Sequence, residues 1–489
     1  MVIVLAAGGG TRMKSKRSKL LHEIAGHSLL SYALSAATEI GPEEVVVVVG
    51  HQRDQVQAHL DEIAPHVRIA VQGEDGYGTG YAVQCAFAAL ADLDHLPPEI
   101  VVTYGDVPML TSDTLLDLLA EHRAQQASVT VLTATIADPT GYGRIVRDAD
   151  GHVAKIVEHR DADDEIRAIT EINSGIYVFD SAILEAGLGQ LDTDNDQGEL
   201  YLTDVLAYAR SVGGAVAAHR IADHWQTEGI NDRVQLAAMN AEMNRRILLD
   251  WMRAGVTIID PATTWVHSSV DLAPDVTLLP GTSLEGATSV AEGATIGPEV
   301  TLKDVEVGEG ATIVRTDAEL SVIGPGANVG PYARLRPGTR LGVKGKIGTF
   351  VETKNAQIAD GAKVPHQTYV GDAEIGRGTN IGAGVIFANY DGVNKSTTLI
   401  GDYSFVGSNS VLAAPVVVGD GAFVAAGSTI TGDVGPGDLG VARGRQRNIP
   451  GWVLRKRAGT KVAAAAQEAL DGAAGTSEET PGAKESDGR

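Results

Sequence analysis

Residues 5–19, LAAGGGTRMKSKRSK, set three consecutive glycines ahead of five cations, Arg12, Lys14, Lys16, Arg17 and Lys19. Glycine lets backbone N–H groups approach phosphate oxygens. Arg and Lys stabilise the charge that develops when a phosphoryl or nucleotidyl group is transferred. The stretch is not a P-loop, because G-x-x-x-x-G-K-[ST] is absent. Gly8 and Gly10 fit the start of G-x-G-x-x-G, but Met13 stands where the third glycine belongs. A solvated basic turn has the same composition, and spacing alone does not choose between the two. Further on, TYGDVP (103–108) closes an apolar run with Asp106. An acid at a strand end beside a triphosphate is a good Mg²⁺ ligand, since Mg²⁺ takes one or two protein oxygens and fills its shell with phosphate and water. The plain alternative is an Asp capping the next helix. Asn231, in EGIND (228–232), could give a second oxygen, although nothing local singles it out.

The C-terminal half carries a second set. His366 lies in VPHQTYVGD (364–372), three residues before Tyr369. Arg336 (in LRPG) and Lys354 (in VETKN) are eighteen residues apart, and NYDGVNK supplies Asn389, Tyr390 and Lys395. A cationic pair suits a sugar phosphate. A neutral His nearby can take the proton of an attacking amine, worth about 10²–10⁴ in rate. A lone His is otherwise an ordinary surface residue. The run 443–457, RGRQRNIPGWVLRKR, is basic beside an acidic body. It suits the phosphates of a coenzyme A, or is a solubilising tail.

The elements that must position these groups follow from hydrophobic periods. Ile323, Val329, Leu335, Leu341 and Ile347 recur every six residues, as do Ile400, Val406, Leu412, Val418, Val424 and Ile430. Small residues follow most of them, as in IGPGAN and VGDGAF. This is the hexapeptide signature of a parallel β-helix over about 270–430. Three six-residue units close a triangular coil of eighteen, so Arg336 and Lys354 should stack one coil apart. A β-sandwich with many turns would not hold the period. The phase slips between Val370 and Ile375 and between Phe387 and Ile400. Both slips, 364–372 and 389–398, are expected to be loops thrown off one face.

Before the repeats, residues 2–7, 45–50, 68–72, 100–106 and 128–134 are short and nearly all apolar, as in strands buried on both faces. Helical patterns at 29–40, 82–93 and 112–125 lie between them, implying an open, mostly parallel α/β sheet with its ligand at the strands' carboxyl ends. Residues 233–253 read as a connecting helix. The tail from about Ala458 is rich in Ala, Gly, Glu, Asp, Ser and Thr, and disorder is expected there.

At 489 residues the chain is long enough for two or three domains. A net charge of −24 excludes a general nucleic-acid binder, which needs a broad basic face. Cys85 is the sole cysteine, so no internal disulfide forms and a reducing compartment is permitted. The N-terminus places its cations after its apolar run, unlike a signal peptide, and no stretch is long and apolar enough to span a membrane.

The motifs L-A-A-G-x-G-T-R-M, S-K-L-L-H, G-T-G-Y-A, Y-G-D-V-P, G-Y-G-R-I, V-E-H, E-I-N-S-G and E-G-I-N-D-R follow one another in order. They resemble those of the sugar-1-phosphate nucleotidyltransferases. With the repeats included, about residues 2–457 are similar to the family of bifunctional N-acetylglucosamine-1-phosphate uridyltransferases / glucosamine-1-phosphate acetyltransferases. The resemblance implies a Rossmann-like nucleotidyltransferase domain (1–228), a helical linker (229–254), a left-handed parallel β-helix (255–449) and a basic, then disordered tail (450–489). It implies that Leu5, Ala6, Ala7 and Gly8 hold the uracil and ribose end of UTP. Arg12 and Lys19 would meet the phosphates, and Gln72, Gly78 and Thr79 would read the uridine. Tyr104, Gly105 and Asp106 would lie by the nucleotide, with Asp106 and Asn231 on Mg²⁺. Gly143, Glu158 and Asn173 would bind N-acetylglucosamine 1-phosphate. In the second half it makes His366 the base, with Arg336, Lys354, Tyr369, Asn380 and Lys395 around glucosamine 1-phosphate. Asn389, Tyr390, Ser408, Ala426 and Arg443 would line acetyl-CoA. Trp452 resembles a Trp of actinobacterial members whose C-terminal extension reaches the acetyl site. A cytoplasmic homotrimer is implied, without nucleic-acid or membrane partners. Gly9 stands where many members carry a larger residue, and Ser18 where Pro often precedes the Lys. Both departures are expected to loosen the loop. Two other readings remain: a nucleotidyltransferase whose solenoid serves only assembly, and a non-catalytic scaffold.

Overall fold

Alternate residues of the first strands divide between two apolar layers. In the strand Val2–Ala6, Ile3 and Leu5 pack on one side with Val46, Val48, Val83 and Ala86, while Val2 and Val4 pack on the other with Leu30, Leu34, Leu115 and Leu118. A strand apolar on both faces needs a helix layer on each, which is why these runs do not alternate with polar residues. The computed structural model, which describes residues 1–73, 75–195 and 197–475, orders the sheet as Val216–Ile221, Val129–Thr135, Glu171–Asp180, Glu99–Tyr104, Val2–Ala6, Val45–Val49 and Arg68–Val71. All neighbours are parallel except Glu171–Asp180, which runs against both of its partners. A short antiparallel pair, Arg144–Arg147 with Val153–Val157, is added beside it. The helix expected at 82–93 spans Thr79–Ala88. It starts earlier because Gly78 (φ 104) breaks the chain before it, and Ala89 and Leu90 form a turn rather than a further helical turn.

Residues Arg233–Arg253 form one helix, capped by the Asp232 side chain accepting from the N–H groups of Val234 and Gln235. It touches both halves of the chain. Met239 joins a cluster with Ile24, Leu29, Met109 and Ile230, and Leu248 joins the solenoid core.

From Thr257–Ile258 to Leu439–Gly440 the chain is a parallel β-helix. Each rung pairs with the next: Asn328 with Lys346, Lys346 with Lys363, Asn380 with Phe405, Phe405 with Phe423. The aliphatic residue of each hexapeptide points inward. Ile323, Val329, Leu335, Leu341 and Ile347 are at most 2 % exposed. No coil has a core of its own, so stability comes from stacking.

Two expectations are corrected and a third holds. Residues 364–372 are not a loop thrown off the face; they belong to the strands Lys363–His366 and Tyr369–Ile375 around a corner at Gln367 (φ 44). The missing residue is absorbed at Asp372 (φ 47), inside a continuous strand. Residues 389–398 do leave the rungs, as a small loop closed by an antiparallel bridge between Tyr390 and Lys395. The tail is not disordered throughout, because Lys461–Gly475 is a helix. Its alanine run has the highest helix propensity, and Thr460 Oγ1 accepts the Ala463 N–H at 3.3 Å as a cap. Residues 476–489 of the tail lie outside the described residues. Among the described residues no helix is long and apolar enough to cross a membrane.

Two candidate active sites

The carboxyl ends of Val2–Ala6 and Glu99–Tyr104 open into a cleft of about 1240 Å³, lined among others by Leu5, Ala6, Ala7, Gly8, Gly9, Lys19, His51, Gln72, Gly78, Thr79, Tyr104 and Asp106. The Gly-rich turn leaves the first strand here. Gly10 and Lys14, both left-handed, bracket a single turn, Thr11–Met13, that buries Met13 and exposes Arg12. Gly78 can be nothing else, since a Cβ there would stand 2.4 Å from the Leu200 carbonyl oxygen. Thr79 Oγ1 accepts the Leu202 N–H at 3.1 Å, and the Gln72 N–H donates to Val49. Gly105 donates its N–H to Leu5 at 2.9 Å, tying the two central strand ends together.

Three residues remote in sequence meet at the floor. Lys19 Nζ is ion-paired with Asp106 and lies 3.4 Å from Asn231 Oδ1. The Ile230 N–H donates to the Asp106 carbonyl at 3.0 Å, which fixes EGIND against YGD. Asp106 caps no helix; the next one, Ser112–Ala124, is capped by Thr111. Two oxygens converging on one ammonium are a donor set for a cation, and hard oxygen ligands match a divalent ion of the Mg²⁺ type.

Gly143, Glu158 and Asn173 converge beside this floor. The Asn173 N–H donates to Gly143 at 2.9 Å, and a Cβ on Gly143 would lie 3.3 Å from Glu158 Oε1. Asn173 Oδ1 accepts from the Gly175 N–H and the Tyr177 hydroxyl, which fixes the plane of its amide. Burial, then the charges of Asp161 and Asp204, push the Glu158 carboxyl up. Burial, then Asp106 and Glu158, push the Tyr104 phenol far up, so it stays a neutral donor. Tyr142 is a residue that spacing did not single out. Its hydroxyl, bonded to the Gly229 backbone, is pushed up to about 12 by burial and then by Glu228 and Asp106.

Ser18 does not loosen the loop as expected. It is 4 % exposed, its N–H donates to Gln55 Oε1 at 3.0 Å, and its φ of −54° is one proline would fix. Gly9 is exposed, with only the His51 ring near where a Cβ would be. Arg233 was also missed. Its Nε donates to the Met13 carbonyl at 3.2 Å, so the linker helix braces the turn carrying Arg12 across 220 residues of sequence.

On the solenoid, Leu335 pairs with Thr353 and Lys354 with Gly371, which stacks Arg336 on Lys354 as the eighteen-residue spacing predicts. Lys395 swings in from the 389–398 loop. A contact with Lys395, then its charge, holds the Lys354 ammonium below the ordinary lysine range, with Arg336 adding to the repulsion. Asn389 is buried and donates Nδ2 to Asp372, so its Oδ1 faces away from that partner. Partial burial raises the Asp372 carboxyl, but hydrogen bonds from Asn355 and Asn389 and the charges of Lys354 and Lys395 hold it below its usual value. A Cβ on Gly371 would lie 2.4 Å from the Tyr369 hydroxyl and 2.7 Å from Asn389 Nδ2, so both groups lean over that glycine. The structure thus brings together Arg336, Lys354, Tyr369, Asn389 and Lys395, with Asp372, which sequence reasoning passed over.

His366 is exposed at the end of its strand, one corner from Tyr369. Among the described residues, no hydrogen bond joins its ring to the lysine cluster. Asn380 pairs with Lys363 on that same sheet. Tyr390 is 58 % exposed and turns its hydroxyl back to Gly392. Ser408, Ala426 and Arg443 stack on successive rungs: the Gly427 N–H donates to Ser408, and Arg443 Nη1 donates to Ala426 at 2.7 Å. Trp452 opens a short helix, Trp452–Lys456, under the Arg457 guanidinium 5.4 Å from its ring. It meets none of the acetyl-site residues in a hydrogen bond or ring contact among the described residues.

Residues 2–175 match the MobA-like NTP transferase domain, and residues 397–432 the bacterial transferase hexapeptide. Over nearly its whole length the chain is similar to curated proteins named Bifunctional protein GlmU. It is 55 % identical to that of Pseudarthrobacter chlorophenolicus over 97 % of this chain and 96 % of the relative. It is 55 % identical to that of Corynebacterium efficiens over 96 % of each, and 55 % identical to that of Kineococcus radiotolerans over 98 % and 97 %. The sheet domain with its nucleotide-sized cleft, the hexapeptide solenoid with its cationic cluster, and these likenesses agree: the chain belongs to the GlmU family of bifunctional uridyltransferase and glucosamine-1-phosphate acetyltransferase enzymes.

Proposed function

We propose that the solenoid acetylates glucosamine 1-phosphate from acetyl-CoA, and that the sheet domain then joins the N-acetylated product to UTP, with the residues above in the following roles. Arg336, Lys354 and Lys395 hold the sugar phosphate, and Tyr369, Asn380 and Asn389 orient the sugar. The amine attacks the thioester carbonyl, His366 takes the amine proton, the C–S bond breaks, and the proton returns to the coenzyme A thiolate. Asn389, Tyr390, Ser408, Ala426 and Arg443 line the acyl donor, and Trp452 closes over it. Among the described residues the His366 ring has no hydrogen-bond partner, which supports a site completed by a neighbouring solenoid in a homotrimer. Such an enzyme draws on cytoplasmic UTP and acetyl-CoA.

In the cleft, Leu5 to Gly8, Gln72, Gly78 and Thr79 hold the uridine of UTP, with Tyr104 and Gly105 beside it. Gly143, Glu158 and Asn173 hold N-acetylglucosamine 1-phosphate. A phosphate oxygen of the sugar attacks the α-phosphorus in line, the bond to the β-phosphate breaks, and pyrophosphate leaves. Asp106 and Asn231 are the residues that would hold Mg²⁺, which when bound neutralises charge on the phosphates. Lys19 then releases Asp106 and, with Arg12, meets the phosphate oxygens. Positioning and charge neutralisation do most of the catalysis.

The observation that carries this reading is the pair of charge clusters on separate domains, Lys19–Asp106–Asn231 and Arg336–Lys354–Lys395. It disfavours a purely structural solenoid, which would gain nothing from crowding like charges. The test is one assay of the purified protein with glucosamine 1-phosphate, acetyl-CoA, UTP and Mg²⁺, following coenzyme A and pyrophosphate separately. Both are expected; pyrophosphate only with supplied N-acetylglucosamine 1-phosphate, and never coenzyme A, would restore the structural solenoid.

A further inference from the structure

The segment carrying Lys19 is held from outside its own domain. After the single turn Lys19–Leu21, where the His22 N–H donates to Lys19 at 3.2 Å, the chain forms a two-stranded hairpin, Glu23–Ile24 with His27–Ser28. The Leu29 N–H donates to His22 at 3.0 Å and closes its base. The tip is Ala25–Gly26, and three groups clamp it. The Ala25 N–H donates to Asn240 Oδ1 of the linker helix at 2.9 Å. The Ser268 N–H donates to the Ala25 carbonyl at 3.0 Å, and the Ser268 hydroxyl lies 2.8 Å from that of Tyr32. His267 fills the notch left by Gly26 (φ 91), where a Cβ would stand 2.4 Å from its Nδ1 and 2.7 Å from its Cγ. The imidazole is itself fixed to the solenoid. Its main-chain N–H donates to Leu284 at 2.9 Å, and its Nδ1 accepts the Gly286 N–H at 3.2 Å.

Resting on the role of Lys19 above, we propose that His267 and Ser268, from the first coil of the β-helix, are positioning residues for uridylyl transfer. They fix the hairpin tip, and through the hairpin the turn that aims the Lys19 ammonium between the metal ligands and the phosphates. The acetyltransferase domain thereby contributes to the other reaction without touching its substrates. The sugar pocket of Gly143, Glu158 and Asn173 hangs on other strands, so the brace governs the rate of transfer rather than the affinity for the sugar phosphate.

The test is the double variant His267→Ala/Ser268→Ala in the full chain, assayed for both reactions in one preparation. A misplaced catalytic group costs up to about 10²-fold; the expected loss is about tenfold in uridylyl kcat, with KM for N-acetylglucosamine 1-phosphate and acetyl transfer within about twofold of wild type. A lower Tm with unchanged uridylyl kcat, or a parallel loss of both activities in folded protein, overturns the brace. Should the double variant not fold, Tyr32→Phe removes one hydroxyl from the clamp. A fall of about two- to threefold in uridylyl kcat supports the proposal, and a wild-type kcat overturns it. Lys19→Ala is the control: if it keeps full uridylyl transfer, the reading of Lys19 fails, whatever the hairpin variants do.

Discussion

The two sites hold their charges in opposite ways. In the cleft, Lys19 is already paired with Asp106 and close to Asn231, and both side chains of the ion pair are largely buried, 9 % and 16 % exposed. On the solenoid, Lys354 and Lys395 are pressed together with Arg336 beside them, offset by Glu352, 3.0 Å from Arg336, and by Asp372. The first site holds an ion pair, which in the proposed reaction would exchange partners for a metal and a triphosphate. The second crowds like charges together, which in the proposed reaction a sugar phosphate would relieve. Electrostatic preorganisation therefore takes two forms in one chain: a pair that opens, and a cluster that waits.

Each expected outcome below either separates the two sites further or merges them. The largest effect is expected from His366→Ala, which should lower acetyl transfer by about 10²–10⁴ while pyrophosphate release from UTP and N-acetylglucosamine 1-phosphate is unchanged; loss of both in folded protein would merge the sites. Next is Asp106→Asn, which should lower pyrophosphate release by about 10²–10³ and spare coenzyme A release; a wild-type rate would remove Asp106 from the metal role. Lys395→Met should raise KM for glucosamine 1-phosphate about tenfold, the loss of one charge-assisted contact. It also relieves Lys354, whose ammonium is held below its usual value. The charged form of such a group is lost as pH rises through the lowered value, so wild-type KM should climb at a lower alkaline pH than that of the variant. The substrate amine titrates equally in both assays, and superimposable KM–pH curves would refute the coupling. The smallest effect is expected from Ser18→Pro. Its φ suits proline, and only the hydrogen bond to Gln55 is lost, so uridylyl transfer should stay within about threefold of wild type; a tenfold fall would show that Gln55 holds the Lys19 loop.

What is legible in the amino-acid sequence is what repeats or lies close along the chain. Six-residue spacing fixed which aliphatics point inward, and eighteen-residue spacing put Arg336 over Lys354. Buried valine runs located the central strands, and the Gly-rich turn after the first of them located the cleft. The long-range pairings were not legible from local pattern. Nothing around Asn231 announces that Ile230 bonds to Asp106, nor around Arg233 that it reaches Met13. Asp372 was missed because its importance lies in neighbours one coil away, Asn389 and Lys395. The slip at 370–375 misled because a shortened repeat can be absorbed by one left-handed residue as easily as by a loop. The helix Lys461–Gly475 was not expected because the tail's mixed Ala, Gly, Glu, Asp, Ser and Thr composition is that of disordered chains, whereas the alanine run within it favours helix.

The most direct measurement mixes the two single-site variants, His366→Ala and Asp106→Asn, with glucosamine 1-phosphate, acetyl-CoA, UTP and Mg²⁺, and follows formation of the UDP-linked N-acetylamino sugar. Neither variant alone should make it. The mixture should, after a lag while the acetylated intermediate leaves one protein for the other. A mixture as inactive as its components, with both proteins folded, would contradict two complete and separable sites.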